Sequence, residues 1–346
     1  MNGTANPSLT IGLPVYDGSE FLEETLDSIL AQTYTNYELI ISDNASTDQT
    51  EEICCRYAAN DDRVRYMRQK ENIGACANFN FVFTESKGRY FKWAAADDLL
   101  EPEYLARCVD VLNTRPEYVL CHTKTATIDA AGDELPNDII RSSGAAEDPD
   151  DRVQNFDRPW RRFRGVLLGN GNPVYDTAVL DFYGVMRADA LANTGLLRPY
   201  VGYEKILMAA LALQGRIAEL PVSLFAYRLH PHSVSSQNST SAQREWSDPQ
   251  SKSGSYPRIR YLIGYIRSVF GKCLTVRDQL LCFFVIAQYV FQVRKWKRVI
   301  MASFLDRGIG DGNVEILKQH GIAKQLADET NVGERAYLKN SPDSGA

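Results

Sequence analysis

A switch between two hydrophobic periods, repeated through the first 130 residues, constrains this chain most. Short apolar runs at Leu9–Val15, Tyr37–Ser42, Val64–Arg68, Tyr90–Ala95 and Tyr118–Ile128 alternate with stretches whose apolar residues recur at helical spacing. Glu20–Gln32 carries Phe21, Leu22, Leu26, Ile29 and Leu30 in that spacing. Ser19 is placed to cap this helix, and Glu20, Glu23 and Glu24 in its first turn favour the helix dipole. Ser46 or Thr47 opens a second helix to about Ala59, Asn78–Glu85 lies in a third, and Pro102 starts a fourth. This rhythm predicts a parallel, doubly wound sheet. Ligands of such sheets bind at the carboxyl ends of the strands, so the polar residues following each strand are the candidates for function.

Beyond residue 130 the rhythm loosens. The segment 130–157 is acidic and poor in large apolar residues, and reads as a loop. Trp160–Leu168 reads as a helix, Asp181–Arg187 as a strand, Ala188–Asn193 and Glu204–Gln214 as helices, and Ile217–Leu229 as short strands. Residues 232–255, rich in Ser, Gln and Asn, read as loop, followed by helices over Pro257–Phe270, Val276–Ser303 and Gly312–Ala327. The expected organisation is one α/β domain over 1–250 with a nucleotide-binding half at 9–113 and an acceptor half at 160–236. A helical C-terminal extension over 256–330 and a tail at 331–346 complete it.

Charge sharpens this division. The 346 residues carry a net charge of −6, which argues against a general nucleic-acid binder. Between Ser255 and Arg307, however, ten basic residues face only Asp278 and Asp306, so this segment is +8 and the remainder −14. Such asymmetry fits either basic helices that pack on the domain or form a dimer, or a surface meeting anionic lipid through Tyr261, Leu262, Tyr265, Ile266, Val269 and Phe270. The seven cysteines lack CxxC spacing, and MNGTANPSLT lacks the charged and apolar regions of a signal peptide. The expected setting is therefore cytoplasmic, with reduced thiols buried as small hydrophobes, and contact, if any, with the inner face of a membrane.

Three polar clusters fall at strand ends: Pro14-Val15-Tyr16-Asp17, Ser42-Asp43-Asn44-Ala45-Ser46-Thr47-Asp48, and Ala96-Asp97-Asp98. Adjacent carboxylates after a buried strand repel each other, and a divalent cation with a preference for oxygen, Mg²⁺ or Mn²⁺, relieves that repulsion. Asp-Asp pairs also cap helices, and Leu99–Pro102 leads straight into one, so both readings are open on the residues alone. No GxGxxG or P-loop occurs, which disfavours dehydrogenases and kinases.

The stretch LPVYDGSEFLEETLDSILAQTYTNYELIISDNASTD, then ENIGACANFN and GRYFKWAAADD, resembles the nucleotide-binding half of glycosyltransferase family 2. A weaker likeness continues through FYGVMRADALANTG, YEKILMAALALQG and FAYRLHPHSVSS to about residue 236. The resemblance implies a GT-A fold, a Rossmann-like mixed sheet with flanking helices, and inverting transfer of a sugar from a UDP- or dTDP-sugar to an acceptor hydroxyl or amine. The acceptor it implies is a glycan, a lipid-linked molecule or a small molecule. It implies that Pro14, Val15 and Tyr16 wall the base and that Asp43 accepts the N3–H of uracil or thymine. Asn72 would sit by the base or ribose, and Asp97 near the ribose and the metal's water shell. Asp98 would ligate Mn²⁺ or Mg²⁺, with His230 at the metal or diphosphate. Glu204 would be the general base, with Asp176 and Asp181 as fallbacks.

The chain departs from the family pattern at two places. Ala95 stands where many members have a further Asp, and Asn78-Phe79-Asn80 stands where many have Ala-Arg-Asn. Arg228, Arg187 or Lys92 could replace the missing arginine at the diphosphate. These departures keep open a catalytically inactive nucleotide- or sugar-binding scaffold. A nucleotidyltransferase needs a basic Gly-rich loop after the first strand, where this chain has Asp17 and Glu20.

Overall fold

The first apolar run shows why the sheet must be an inner layer. All seven residues of β1 (Leu9–Val15) are buried. Leu9, Ile11, Leu13 and Val15 point into one hydrophobic cluster. The alternate positions Thr10, Gly12 and Pro14 are small and point to the other face, where Val82 and Phe91 press against Gly12. A strand with no solvated face needs helices on both sides.

The computed structural model describes residues 7–136, 146–149, 157–168, 178–199, 202–230, 257–270 and 274–291. The expected loop at 232–255, the helix over Gly312–Ala327, the distal part of the Val276–Ser303 helix, the 331–346 tail and Asp176 lie outside them. After β1 come α1 (Ser19–Leu30), β2 (Tyr37–Asp43), α2 (Thr50–Asn60), β3 (Val64–Arg68), α3 (Ala75–Thr84), β4 (Tyr90–Trp93), β5 (Leu99–Leu100), α4 (Tyr104–Thr114) and β6 (Tyr118–Ile128). The second half holds β7 (Glu134–Leu135), β8 (Ala146–Glu147), α5 (Pro159–Leu168), α6 (Ala178–Asp181), β9 (Val185–Arg187), α7 (Ala188–Ala192), α8 (Tyr203–Gln214) and β10 (Arg216–Arg228). Two helices follow, α9 (Pro257–Phe270) and α10 (Val276–Val290).

The strands form one sheet in the order β3-β2-β1-β4-β9-β6-β10-β5, with β7 on β6 and β8 on β10. Strands β3, β2, β1 and β4 are parallel, as the rhythm predicts. The sheet as a whole is mixed rather than purely parallel. Strand β9 enters between β4 and β6, antiparallel to both, and β5 is antiparallel to β10. Because β9 reverses direction twice over, β6 and its parallel neighbour β10 run the same way as β4. The carboxyl ends of β1, β2, β4 and β10 therefore share one edge.

Local expectations shift for identifiable reasons. Helix α2 begins at Thr50 rather than Ser46 or Thr47, because those two residues bond the loop after β1: the Asp17 amide donates to Ser46 Oγ (3.0 Å) and the Thr47 amide to Asp17 Oδ1 (2.6 Å). Gly18, not Ser19, occupies the cap of α1, and the Ser19 amide donates to Asp48 Oδ2. The strand expected over Asp181–Arg187 is the end of α6 followed by the short β9. The short strands expected over Ile217–Leu229 are a single strand, β10. Pro221, unable to donate to the ladder, sits at a register irregularity instead of ending it.

The helices divide into two layers. Buried residues of α1, α2 and α4 form the cluster on one face, while α3, α5, α8, α9 and α10 share the other. Tyr261, Tyr265 and Val269 are buried in this second cluster with Leu207, Leu211, Val285 and Tyr289. The apolar face proposed from sequence for a lipid surface thus turns inward; of its residues only Phe270 is exposed, at 67%. The close approach of α9 to α8 depends on two glycines. A Cβ at Gly202, whose φ is +79°, would overlap the Tyr261 ring and hydroxyl, and one at Gly264 would overlap Ile206.

Among the described residues, Cys54, Cys76, Cys108, Cys121 and Cys282 are buried and Cys55 is exposed, all as free thiols. No helix among them is long and apolar enough to cross a membrane.

Gly202→Ala introduces both backbone strain and a steric overlap, so it should destabilise the fold by about 2 kcal/mol or more. Thermal unfolding would measure this, and adding Tyr261→Ala should recover the steric part of the loss when compared with Tyr261→Ala alone.

Candidate functional site

The shared strand edge begins with the loops after β1 and β2. Asp17 and Ala45 both adopt left-handed backbone, with φ of 46° and 64°, a conformation uncommon for residues with a Cβ. The bonds from Asp17 to Ser46 and Thr47 hold these two turns together, and the Asn44 amide donates to the Val15 carbonyl (2.8 Å). Pro14 and Val15 are buried at this edge, and the Tyr16 side chain stands out from it, 46% exposed.

Asp43 ends β2 and is fully buried. Its Oδ1 accepts the Ser46 amide (2.8 Å), and its Oδ2 accepts from the Tyr66 hydroxyl (2.8 Å) and from Arg68 Nη1 (2.6 Å). A base N–H at Asp43 would have to share an oxygen that is already engaged. Asn72 Oδ1 accepts from Asn44 Nδ2 and from the Gly74 amide, each at 2.9 Å. It thereby orders the turn that launches α3 beside Asp43.

The third cluster follows β4. Asp98 is buried, and its Oδ1 accepts the Arg228 amide (3.0 Å). Its Oδ2 is buried with no hydrogen-bond partner. Burial, then the neighbouring Asp97 charge, holds its carboxyl well above the usual range. Asp97 turns the other way: its Oδ2 lies 3.0 Å from His230 Nε2. The His230 ring lies 4.7 Å from that of Phe21 on α1. The structure therefore brings His230 to Asp97, not to Asp98, as the meeting of carboxylate and imidazole. The reason is the backbone of β10, whose Arg228 amide takes Asp98 inward.

Arg228 does not serve as a ligand-facing cation. Its side chain is fully enclosed, and its nitrogens donate to the Asp97 carbonyl (2.9 Å), the Ala130 carbonyl (3.0 Å) and Glu24 Oε2 (2.7 Å). Its guanidinium also stacks over Phe21. The other two candidates for the diphosphate are equally committed. Arg187 donates to the carbonyls of Tyr118 and Leu112 near the start of β6, the opposite edge of the sheet. Lys92 is buried, donates to the carbonyls of Trp93 and Tyr183, and faces the rings of Tyr104 and Phe225. Burial pulls its pKa down to about 8, against a smaller opposing pull from Cys108 and Asp98.

Glu204 lies in the first turn of α8, directly after Gly202 and Tyr203. Helix α8 leads through Gly215 into the start of β10, so its own start lies toward the edge where the strands end. Tyr183 marks the approach of these groups. Its phenol is raised well above its ordinary value, by burial first and then by Asp98, Tyr227, Asp97 and Glu204 in that order. Tyr183 lies in the FYGVMR motif, which is the only sequence signal for it. Asp181, a fallback base, is sealed in the core 3.5 Å from His122 and has no open face. Trp93 is likewise core, stacked on Phe182 at 4.4 Å.

A divalent cation fits this donor set. Among the described residues no three His, Cys, Asp or Glu side chains cluster as a ready metal cage. Mg²⁺ and its relatives commonly take only one or two protein ligands and complete their shell with substrate phosphates and water. Asp97 and His230 supply two donors, and the unpartnered buried oxygen of Asp98 behind them marks uncompensated negative potential.

Two consequences can be measured. Arg228→Ala would leave the Asp97-Asp98 turn, the Ala130 carbonyl and Glu24 without their shared donor, at a cost of roughly 3–5 kcal/mol; a thermal midpoint unchanged from wild type would show the turn is held otherwise. For Lys92 the folded pKa lies below the ordinary 10.5, so between about pH 8 and 10.5 the unfolded chain binds more protons than the native one. Stability attributable to Lys92 must therefore rise with pH through that window. Relative to Lys92→Met, the wild type should gain up to about 3 kcal/mol in denaturant unfolding between those limits. A pH-independent difference would contradict the buried ammonium.

Residues 10–164 match the sequence family described as Glycosyl transferase family 2. An uncharacterized glycosyltransferase of Rickettsia typhi is 38% identical over 110 residues, which cover 32% of this chain and 33% of that protein. Glycosyltransferase GlyA of Streptococcus pneumoniae is 36% identical over 97 residues, 28% of this chain and 14% of that one. The matched region thus spans a third or less of these curated relatives. Among solved structures, S. aureus TarS 1-349 in complex with UDP is similar with a TM-score of 0.56 at 13% identity, over 82% of this chain and 70% of that one. GalNAc-T7 with UDP, GalNAc and Mn²⁺ is similar with a TM-score of 0.51 at 13% identity, over 77% and 48% of the two chains. The likeness to these structures is one of fold, the GT-A arrangement of mixed sheet and flanking helices. Over residues 10–164, then, less than half of its length, the chain is similar to glycosyl transferase family 2.

Proposed function

We propose that this protein transfers a sugar, with inversion and with the help of a divalent cation, from a nucleoside-diphosphate sugar to an acceptor hydroxyl or amine. The observation that carries this reading is the meeting of Asp97 and His230 (3.0 Å) at the carboxyl ends of β4 and β10, on the edge that also holds Asp43. The UDP of the solved TarS structure and the UDP and Mn²⁺ of the GalNAc-T7 structure support the same donor and cofactor classes here.

In this reading the loops after β1 and β2 receive the nucleotide. Tyr16 offers an exposed ring to the base, Asp43 an acceptor for its N–H, and the Asn72 turn closes the floor. The cation supplies positive charge against the departing diphosphate, and Asp97 and His230 are the residues that would hold it. Asp98 works from behind, fixed by the Arg228 amide so that Asp97 faces His230. Glu204 accepts the acceptor's proton as the acceptor attacks the anomeric carbon opposite the leaving nucleotide. A direct displacement forms no covalent enzyme intermediate, so it needs no nucleophilic side chain.

Three variants test the assignment with a panel of UDP- and dTDP-sugars in Mn²⁺. Glu204→Gln should lower kcat by on the order of 10²- to 10⁴-fold while leaving nucleotide affinity in calorimetry unchanged. Asp97→Asn and His230→Ala should weaken Mn²⁺-dependent nucleotide binding. Full turnover by Glu204→Gln would remove it as the base. Nucleotide binding without hydrolysis or transfer by the wild type, with every donor, would favour the inactive scaffold that Ala95 and the missing arginine keep open.

A further inference from the structure

Asp43 ends β2, and its register partner across the parallel ladder is Arg68, the last residue of β3. Register partners on adjacent strands project to the same face, so the acid and the guanidinium meet at the strand ends. Arg68 Nη1 donates to Asp43 Oδ2 (2.6 Å) and lies 3.2 Å from Glu51 Oε2 in the first turn of α2, while Nη2 donates to the Ser46 carbonyl (2.9 Å). Asp43 is fully enclosed, but the Arg68 side chain is 34% exposed. A carboxylate withdrawn from water needs a countercharge, and Arg68 supplies one while keeping part of its own surface in solvent.

The other cations near this edge are not available to a ligand, since Arg228, Arg187 and Lys92 are spent on backbone carbonyls. Asn78, in the α3 segment that lacks the family's arginine, turns both ends of its amide to Ser42 of β2. Arg68 reaches the edge from β3 instead, and its fork has more N–H groups than its three contacts engage. On the acid, Oδ1 accepts the Ser46 amide alone among the described residues, so a carboxylate lone pair remains for an incoming N–H.

A carboxylate beside a guanidinium sets an acceptor next to a donor. The edge of uracil or thymine sets an N–H between two carbonyls, so the pair can meet the N3–H and one adjoining carbonyl together. Cytosine and adenine present a bare ring nitrogen beside an amino group, which would put acceptor against acceptor at Asp43. Guanine satisfies the pair through its N1–H and O6, but its 2-amino group then needs a further acceptor. The Asn72 oxygen is already taken by Asn44 Nδ2 and the Gly74 amide.

We propose that Arg68 is a specificity-determining residue: it holds the Asp43 carboxylate and donates to a ring carbonyl of uracil or thymine, so that the two side chains read the base at two points. This rests on the reading that a nucleoside-diphosphate sugar binds at this edge, and adds to it the residue that selects the base. Arg68 takes no part in the transfer itself. Its loss is felt in donor affinity and base preference.

The test is calorimetric binding to the full chain, in Mn²⁺, of UDP, GDP and two UDP analogues in which sulfur, a weaker acceptor, replaces ring oxygen 2 or ring oxygen 4. Wild type should prefer UDP to GDP, and one of the two thio analogues should bind several-fold more weakly than UDP. Arg68→Met removes the donor and should lower UDP affinity about 10- to 100-fold, narrow the preference over GDP and abolish the thio penalty. Arg68→Lys keeps the countercharge without the planar fork, so it should hold the wild-type thermal midpoint and still lose the thio penalty. It therefore decides the matter even where the Met variant fails to fold. An unchanged thio penalty in the Lys variant, or equal loss of affinity for every nucleotide in the Met variant, would leave Arg68 a structural ion pair and overturn the proposal. A wild type that binds none of the nucleotides would remove the transferase reading, and this inference with it, so the wild-type measurement tells the two failures apart.

Discussion

The buried guanidinium of Arg228 is the contact on which the rest of the site depends. It joins the end of β10 to the Asp97 carbonyl, to Glu24 on α1 and to the Ala130 carbonyl after β6, with Phe21 beneath it. Its own amide fixes Asp98. A fully desolvated cation is tolerable only where such oxygens surround it, so the segments must assemble together or not at all. That requirement orients two adjacent acids in opposite directions, one into the protein and one toward His230.

The mixed sheet makes this assembly possible. Strand β9, only three residues long, lies antiparallel between β4 and β6 and so returns β6 and β10 to the direction of β4. Without that double reversal His230 and Asp97 would leave the sheet at opposite edges. The C-terminal helices add a second constraint, since α9 seats Tyr261 against Gly202 at the start of the helix carrying Glu204. The base candidate is therefore positioned by residues more than fifty places later in the chain.

Much of the fold was legible because its first half is locally consistent. The strand bounds at Val64–Arg68 and Tyr118–Ile128 follow directly from the apolar runs, and so do α5 and α9 to within a residue. Asp43 and Asp97 could be nominated because each sits at a readable strand end, whereas Asn72 and His230 were implied only by the family resemblance. What was not legible was how each side chain is spent. Arg228, Arg187 and Lys92 look interchangeable as free cations in a sequence, yet each is buried on backbone carbonyls in the structure. Tyr183 shows in the sequence only as part of the FYGVMR motif and Glu24 only as a first-turn acid of α1, because their roles arise from contacts across many residues of chain.

The sequence by itself determined the period of each element, the likeness of residues 10–164 to glycosyl transferase family 2 and the set of polar groups available at the strand ends, because these depend on neighbours a few residues apart. Tertiary structure alone decided which acid faces His230, which cations are consumed by the core, and which face of α9 meets solvent. Those outcomes rest on burial: a polar group withdrawn from water must find a partner wherever the fold brings one, and that partner is distant in sequence.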